Sequence, residues 1–330
     1  MHFAILLQYE KVVNSAAECL YLLSIKNHYA MNIRKIQSKA YLSILLLLLP
    51  LLANAQVKID SIWYNLDTES MTAEVIKNPL GFGYYLSSVT IPSTVTYEET
   101  IYNVTRIGNN AFKSGVILTS ITIPACVTSI GDEAFYECSS LVDVSFSEGV
   151  TSIGKNAFSQ CSSLTEITIP ASVMNIGFGA FSYCSGLTSI TVDERNTAYD
   201  SRENCNAIIK TSSNSLIAGC STTTIPESVT SIGGMAFANF TNITEITIPA
   251  NVTSIGPSAF YNCKNLSEIA IPANVESVGR SAFEGTPWLN NQSEGIVYVG
   301  KTLYAYKGSM PEETSIDVRE GTKSITDKAF

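Results

Sequence analysis

The chain has 330 residues, of which 45% are hydrophobic and only 15% are charged. Its 20 lysine and arginine residues stand against 29 aspartate and glutamate residues, which gives a formal net charge of −9 at pH 7. This acidic balance excludes an electrostatic surface for nucleic acid, and the hydrophobic content excludes a disordered chain.

Residues 31–55 have the pattern of a secretory signal peptide. Basic residues precede an apolar stretch, Tyr41 to Leu52, and Ala53-Asn54-Ala55 forms a cleavage site of the A-x-A type. The alternative is a transmembrane anchor, but a helix needs ~20 apolar residues to cross a bilayer, and this stretch is shorter and contains Pro50. The pattern predicts a secreted or cell-surface protein that starts at Gln56 and has no membrane span.

Residues 1–30 precede this signal and have no pattern of their own. Met31 is well placed as the true start, so we interpret 1–30 as an upstream segment outside the natural reading frame; the alternative is an extended basic region of the signal. Both histidines, His2 and His28, lie ahead of Gln56. A mature chain without histidine excludes serine–histidine and cysteine–histidine catalysis and imidazole metal sites.

A repeat of about 23 residues occupies most of the remaining chain. The dipeptide Ala-Phe recurs eight times, and five of the seven intervals have the same length; the marker phenylalanines are Phe112, Phe135, Phe158, Phe181, Phe237, Phe260, Phe283 and Phe330. Each unit opens with an Ile-Thr-Ile alternation typical of a half-buried strand, which a proline ends, and a later glycine permits a tight corner.

One unit cannot bury its own apolar side, so the units must stack. The pattern predicts a mainly β solenoid of about ten coils over 102–330, preceded by an N-terminal β cap over 56–101. The chain stops in mid-repeat at Phe330, so we expect the natural chain to continue.

Two intervals between markers are longer than one unit, and each is predicted to contain a β-hairpin. The first hairpin comprises the apolar runs on either side of 211–215, and the second spans 296–306 with its turn at Gly300-Lys301. Insertions in solenoids often lie on the binding face, although either hairpin can also replace an ordinary coil without a ligand.

Two sets of cysteines have different expected roles. Four follow a marker phenylalanine by three residues and are predicted to pack inside the turn rather than to bind zinc or to take part in redox chemistry: Cys138, Cys161, Cys184 and Cys263. Cys205 and Cys220 bracket the first hairpin, and a two-residue turn at Ser212-Ser213 would place them opposite each other. This geometry predicts a disulfide between them in an oxidising compartment.

Outward-facing strand positions form a set that we call the polar ribbon. Its members are Ser120, Thr122, Asp143, Ser145, Glu166, Thr168, Ser189, Thr191, Glu245, Thr247 and Glu268. The ribbon can be a solvated face that keeps a β-rich protein soluble, or a ligand-binding surface. The sequence contains no motif for catalysis, for a cofactor or for a metal, and an open row of acids is not an enzyme pocket, so we expect no enzymatic activity.

The repeat resembles the BspA-like leucine-rich repeat family, a bacterial surface branch of the leucine-rich repeats. The resemblance is carried by Leu187-Thr188-Ser189-Ile190-Thr191, by Val252-Thr253-Ser254-Ile255-Gly256, by Phe135-Tyr136-Glu137-Cys138-Ser139-Ser140-Leu141 and by the opening segment from Val57 to Leu66. It implies a leucine-rich repeat solenoid that adheres to host matrix proteins or to other bacteria, with a protein or glycan as ligand. The alternative is a structural stalk that presents a domain beyond residue 330.

Overall fold

The structure, a computed structural model, describes residues 54–79, 86–310 and 312–330. The upstream segment 1–30 and residues 31–53 of the predicted signal peptide lie outside the described residues. Within the three described ranges, no helix has the length and hydropathy that a membrane crossing requires.

The N-terminal part of the described chain is built from strands that join the first coil. The strands are β1 (Asn54–Ile59), β2 (Ile62–Asp67), β3 (Thr72–Ile76), β4 (Ser88–Thr90), β5 (Thr94–Tyr97) and β6 (Thr100–Ile107). β1, β2 and β3 form an antiparallel meander, and β3 then pairs in parallel with β6. Tyr64, Leu66 and Val75 alternate with more exposed neighbours and are buried, so one side of the meander faces the core.

The regular coils repeat one path around the core. Each contributes a longer strand and then a short one: β7 (Ser120–Ile123) and β8 (Ser129–Ile130), β9 (Asp143–Phe146) and β10 (Ser152–Ile153), β11 (Glu166–Ile169) and β12 (Asn175–Ile176), then β13 (Ser189–Val192). The longer strands pair in parallel on what we call the first face, and the short strands pair in parallel on the second face. The architecture is the predicted mainly β solenoid of about ten turns.

The marker phenylalanines form the third side of each coil, the turn face. Their rings stack in the core at centroid distances of 5.0–5.5 Å from Phe112 to Phe181 and of 5.1 and 5.4 Å from Phe237 to Phe283. The backbone N–H of Phe158 donates to the carbonyl oxygen of Ala180 in the next coil at 2.8 Å. Residues two before and two after the marker have positive φ, as at Asn156 (52°) and Gln160 (65°), and this bends the chain around each ring.

The repeat glycine is required for a different reason from the predicted one. Gly131, Gly154 and Gly177 follow the short strands β8, β10 and β12, and their φ angles lie outside the left-handed region. A Cβ on Gly154 would lie only 2.5 Å from the backbone N of Asp132 in the preceding coil. The glycine therefore permits close stacking of adjacent coils rather than a tight corner.

The first long interval contains the predicted hairpin. Its strands are β14 (Tyr199–Asp200), β15 (Ala207–Lys210) and β16 (Ser215–Gly219), and a 3-10 turn at Arg202–Asn204 joins the first two. β15 and β16 are antiparallel, and β16 returns to the second face by pairing in parallel with β17 (Ser231–Ile232).

The turn length and the strand register of this hairpin differ from those expected for the predicted disulfide. The hairpin connection has four residues, 211–214, and the register shifts by one residue at a bulge between Ile208 and Ile209. Extending the pairing of Ala207 with Gly219 does not bring Cys205 opposite Cys220. Both are free thiols, and their sulfurs approach the carbonyl oxygens of Ala207 at 3.9 Å and Asn206 at 3.3 Å, respectively.

The C-terminal coils repeat the same arrangement. They comprise β18 (Glu245–Thr247), β19 (Ser254–Ile255), β20 (Glu268–Ala270), β21 (Ser277–Val278), α1 (Pro287–Asn290), β22 (Gly295–Val299), β23 (Thr302–Lys307) and β24 (Ser324–Ile325). β22 and β23 form the second hairpin, and the pairing of Val299 with Thr302 confirms its turn at Gly300-Lys301. Within the described residues, helix is confined to α1 and the 3-10 turn.

Candidate binding surface

The polar ribbon lies on the first face because its strands alternate between inward and outward residues. In β7 the inward residues Ile121 and Ile123 are completely buried, whereas Thr122 between them is exposed. Parallel pairing then places equivalent residues of successive coils side by side, such as Ser120 beside Asp143 and Thr122 beside Ser145. The solenoid therefore converts the sequence spacing of one repeat into rows of neighbouring polar side chains.

The ribbon is divided among three parallel sheets. They consist of β4, β7 and β9, of β11 and β13, and of β18 and β20. In the second sheet Glu166 lies beside Ser189 and Thr168 beside Thr191; in the third, Glu245 lies beside Glu268 and Thr247 beside Ala270. Each sheet presents hydroxyl groups, carboxylates or both to solvent.

Neighbouring hydroxyl groups of the ribbon are hydrogen-bonded to one another. The oxygens of Thr168 and Thr191 are 2.9 Å apart, and Ser120 Oγ donates to Ser88 Oγ at 2.8 Å. These bonds join adjacent coils, so the side chains that a ligand would meet are already ordered.

The structure adds members that the sequence analysis missed. β4 pairs in parallel with β7 and extends the surface with Ser88 and Thr90. Thr222 and Thr224 are also exposed, and they precede Glu245 and Thr247 in the sequence by one repeat length. Thr222 Oγ1 donates to the carbonyl oxygen of Thr188 at 2.6 Å. Counting back by one repeat from β18 would have identified both threonines, whereas the irregular spacing before β7 concealed β4.

Trp288 was also missed, and it is one of the residues that line a groove at the C-terminal end of the ribbon. The groove has a volume of about 440 Å³ and is lined by residues of β18 and β20, including Glu245, Thr247 and Glu268. α1 is tied to the coil that carries β20, because the N–H of Trp288 donates to the carbonyl oxygen of Leu266 at 3.0 Å. Among the described residues, no later strand of the first face pairs with β20. The signal was the loss of the Ile-Thr-Ile pattern one repeat after Ile269, where the sequence has Gln292-Ser293-Glu294, together with the proline and tryptophan that precede it.

A basic residue lies beyond the end of β13. Arg195 forms ion pairs with Asp193 at 2.8 Å and Glu148 at 2.6 Å, and its side chain is two-thirds exposed. Hydrogen bonds from the Arg195 side chain and backbone lower the pKa of Asp193 to about 2. These carboxylates already hold the positive charge of Arg195, so the adjacent ribbon remains acidic.

The four repeat cysteines lie inside the solenoid. Each Sγ donates to the carbonyl oxygen of the marker phenylalanine in the preceding coil, at 3.0–3.3 Å: Cys138 to Phe112, Cys161 to Phe135, Cys184 to Phe158 and Cys263 to Phe237. Burial raises the pKa of Cys138, Cys184 and Cys263 to about 12 and that of Cys161 well above its usual range. Neutral buried thiols are poor nucleophiles and poor metal ligands.

A second groove lies on the turn face. Its volume is about 320 Å³, and Gln160, Tyr183 and Asn239 are among the residues that line it. Tyr183 N–H donates to Ala238 O at 3.2 Å, which joins the Phe181 coil directly to the Phe237 coil across the first insertion. Across the described ranges, no group of three or more histidine, cysteine, aspartate or glutamate residues is placed to hold a metal ion.

Comparison with known proteins identifies similar repeats. Residues 105–218 and 208–310 match the family model described as BspA type leucine rich repeat region, in six copies. None of the curated proteins that were compared matches the chain.

Solved structures of three bacterial proteins are similar to the chain. The pneumococcal vaccine antigen PcpA is 18% identical, with 82% of this chain and 78% of that chain covered and a TM-score of 0.55, a likeness that shows the fold. A leucine rich cell surface protein from Faecalibacterium prausnitzii is 26% identical over 75% of this chain and 84% of that one, with a TM-score of 0.41. A leucine-rich repeat protein from Eubacterium ventriosum is 25% identical over 68% and 67%, with a TM-score of 0.49.

Proposed function

The chain belongs to the BspA-type leucine-rich repeat family, and from this premise we propose that it is a non-enzymatic binding protein of the bacterial surface or exterior. Its polar ribbon would engage protein or glycan ligands of the host matrix or of other bacteria. The signal-peptide pattern of residues 31–55 supports export.

This proposal rests on one observation: the exposed polar side chains of successive strands form rows, and the residues between them in each strand point inward and are mostly buried. Ile121, Ile167 and Ile190 fix the strands from inside, while Thr122, Thr168 and Thr191 are presented outward. A surface ordered in this way loses little conformational entropy when it binds, and several weak contacts along one rigid face add to give avidity.

The test neutralises the acidic members of the ribbon together. The variant carries Asp143→Asn, Glu166→Gln, Glu245→Gln and Glu268→Gln, and its binding is measured on immobilised host matrix and mucus glycoproteins. We expect affinity to fall at least tenfold, ~1.4 kcal/mol, for the ligands that the native protein captures.

A matched control removes four exposed carboxylates outside the ribbon, at Glu98, Glu99, Glu203 and Glu227, by substitution with glutamine. We expect the control to bind within about twofold of the native protein, because rim charges act mainly on association rate and salt dependence. If both quadruple variants bind like the native protein, the ribbon is not the ligand surface, and the hairpins or the other faces become the candidates.

A further inference from the structure

The groove beside Trp288 differs from the rest of the ribbon in having both charge and an aromatic wall. Glu245 and Glu268 stand directly opposite each other on paired parallel strands, and both are exposed. Ile246 and Ile269 lie between the outward residues, and both contribute to the lining together with Trp288. The groove therefore combines an acidic surface with one indole ring.

Trp288 is held in place without a ligand. Thr286 caps α1 by accepting a hydrogen bond from the N–H of Leu289 at 3.2 Å, and the indole ring packs on Phe283 with centroids 4.8 Å apart. The backbone of Trp288 is tied to Leu266, so the ring does not need to be ordered when a ligand enters.

The two carboxylates favour a cation. Neighbouring strands are ~4.8 Å apart, and like charges directly opposite each other destabilise a sheet. Among the described residues, neither Glu245 nor Glu268 has an ion-pair partner. A positive group between them would relieve the repulsion, whereas a neutral sugar would leave it in place and an anion would add to it.

The indole ring favours the same occupant. The face of tryptophan attracts ammonium and guanidinium groups, and a guanidinium also forms paired hydrogen bonds with carboxylates. We propose that this groove binds a basic side chain, arginine before lysine, of a protein partner. The proposal deepens the proposed binding function and rests on it.

The test uses the full chain and a peptide of alternating glycine and arginine, with a citrulline peptide of the same length as the neutral control. Binding is measured by calorimetry at constant ionic strength. We expect saturable binding of the arginine peptide, at least tenfold weaker binding of the citrulline peptide, and weaker binding as salt is raised.

Variants locate the site. Glu245→Gln with Glu268→Gln, and separately Trp288→Leu, should each weaken binding of the arginine peptide at least fivefold. Glu98→Gln with Glu99→Gln removes the same charge from exposed positions outside the ribbon and should change the affinity less than twofold. Circular dichroism of each variant separates loss of the site from loss of the fold.

Three outcomes would overturn the inference. The arginine peptide could fail to bind, its binding could survive both groove variants, or a neutral oligosaccharide could bind in the groove independently of the glutamates, which would assign the site to a glycan. Capture of matrix proteins that is lost in the ribbon variant but unchanged by Trp288→Leu would leave the proposed function standing and reject this site alone.

Discussion

At the scale of single residues, the core is unusual in containing a column of thiols that are held neutral. Cys138, Cys161 and Cys184 occupy successive coils, and each donates to the backbone carbonyl oxygen of the marker phenylalanine in the preceding coil. The position three after the marker is occupied by Gly115, Phe240 and Thr286 in other coils, so the column tolerates replacement by residues of different size.

The thiols make stability depend on alkaline pH. A cysteine in the unfolded chain ionises near its ordinary pKa of 9.0, whereas burial raises the pKa of Cys138 and Cys184 to about 12 in the folded protein. The unfolded chain therefore loses its proton first. The contribution of each thiol is complete below pH 9 and falls by up to about 1.4 kcal/mol per pH unit as the pH rises toward 12.

Urea unfolding at pH 7, 9, 10 and 11 measures this effect. We expect the double variant Cys138→Ala, Cys184→Ala to be less stable than the native protein at pH 7, because of the cavities, yet to lose stability less steeply above pH 9. Tyr304, whose pKa burial raises to about 12, accounts for part of the slope that remains. Parallel slopes in the two proteins would contradict the assignment.

At the scale of elements, the contact between coils depends on the glycines after the short strands. Gly154 follows β10, and a Cβ there would meet the backbone of Asp132 and Gly131, both at 2.5 Å. Backbone atoms in a stacked coil cannot move aside as a flexible side chain can. The sequence predicts where this glycine stands, but its role becomes apparent only when two coils are placed side by side.

Substitution of Gly154 by alanine should therefore destabilise the protein by about 2–4 kcal/mol, since the methyl group forces adjacent coils apart. Lys155→Ala changes an exposed residue at the next position and should alter the free energy of unfolding by less than about 0.5 kcal/mol. Chemical denaturation of both variants provides the comparison. A Gly154→Ala protein as stable as the control would show that the coils are not in close contact there.

The two hairpins show how far local sequence determines an element. The turn at Gly300-Lys301 was predictable because Gly300 has a φ of 57°, a conformation that glycine adopts without penalty. The first hairpin contains a bulge after Ile208 and a longer connection, and neither has a comparable residue signal. A shift of one residue was sufficient to move Cys205 out of register with Cys220, and the disulfide between them stays a prediction.

At the scale of the whole molecule, the spacing of the repeat predicts the solenoid fold, but it does not predict the groove at Trp288. The spacing of the marker phenylalanines predicts the stack of coils, and the alternation within each strand predicts which side chains face outward. The groove at Trp288 could not be predicted in the same way, because it forms where the repeat is interrupted and α1 precedes a segment without the usual strand. This groove therefore arises at a departure from the repeat, whereas the polar ribbon arises from the repeat itself.

The same spacing predicts that one coil can be removed without loss of the fold. Cys138-Ser139-Ser140-Leu141 and Cys161-Ser162-Ser163-Leu164 have the same residue types in successive coils. Deletion of residues 139–161 joins Cys138 to Ser162 and leaves the local sequence unchanged. The contacts between coils connect residues one repeat apart, as in the pairing of Ser129 with Ser152, so the coils on either side should stack on each other.

We expect this deletion of one whole coil to fold cooperatively, with a lower free energy of unfolding because one coil interface is lost. The control is a deletion that is shorter by one residue, 139–160; it shifts the register and turns buried side chains outward, so it should fail to fold. Circular dichroism and urea unfolding distinguish the two. The shorter solenoid keeps Glu245, Glu268 and Trp288 together, so it should still bind the arginine peptide. If neither deletion variant folds, the coils are not modular units.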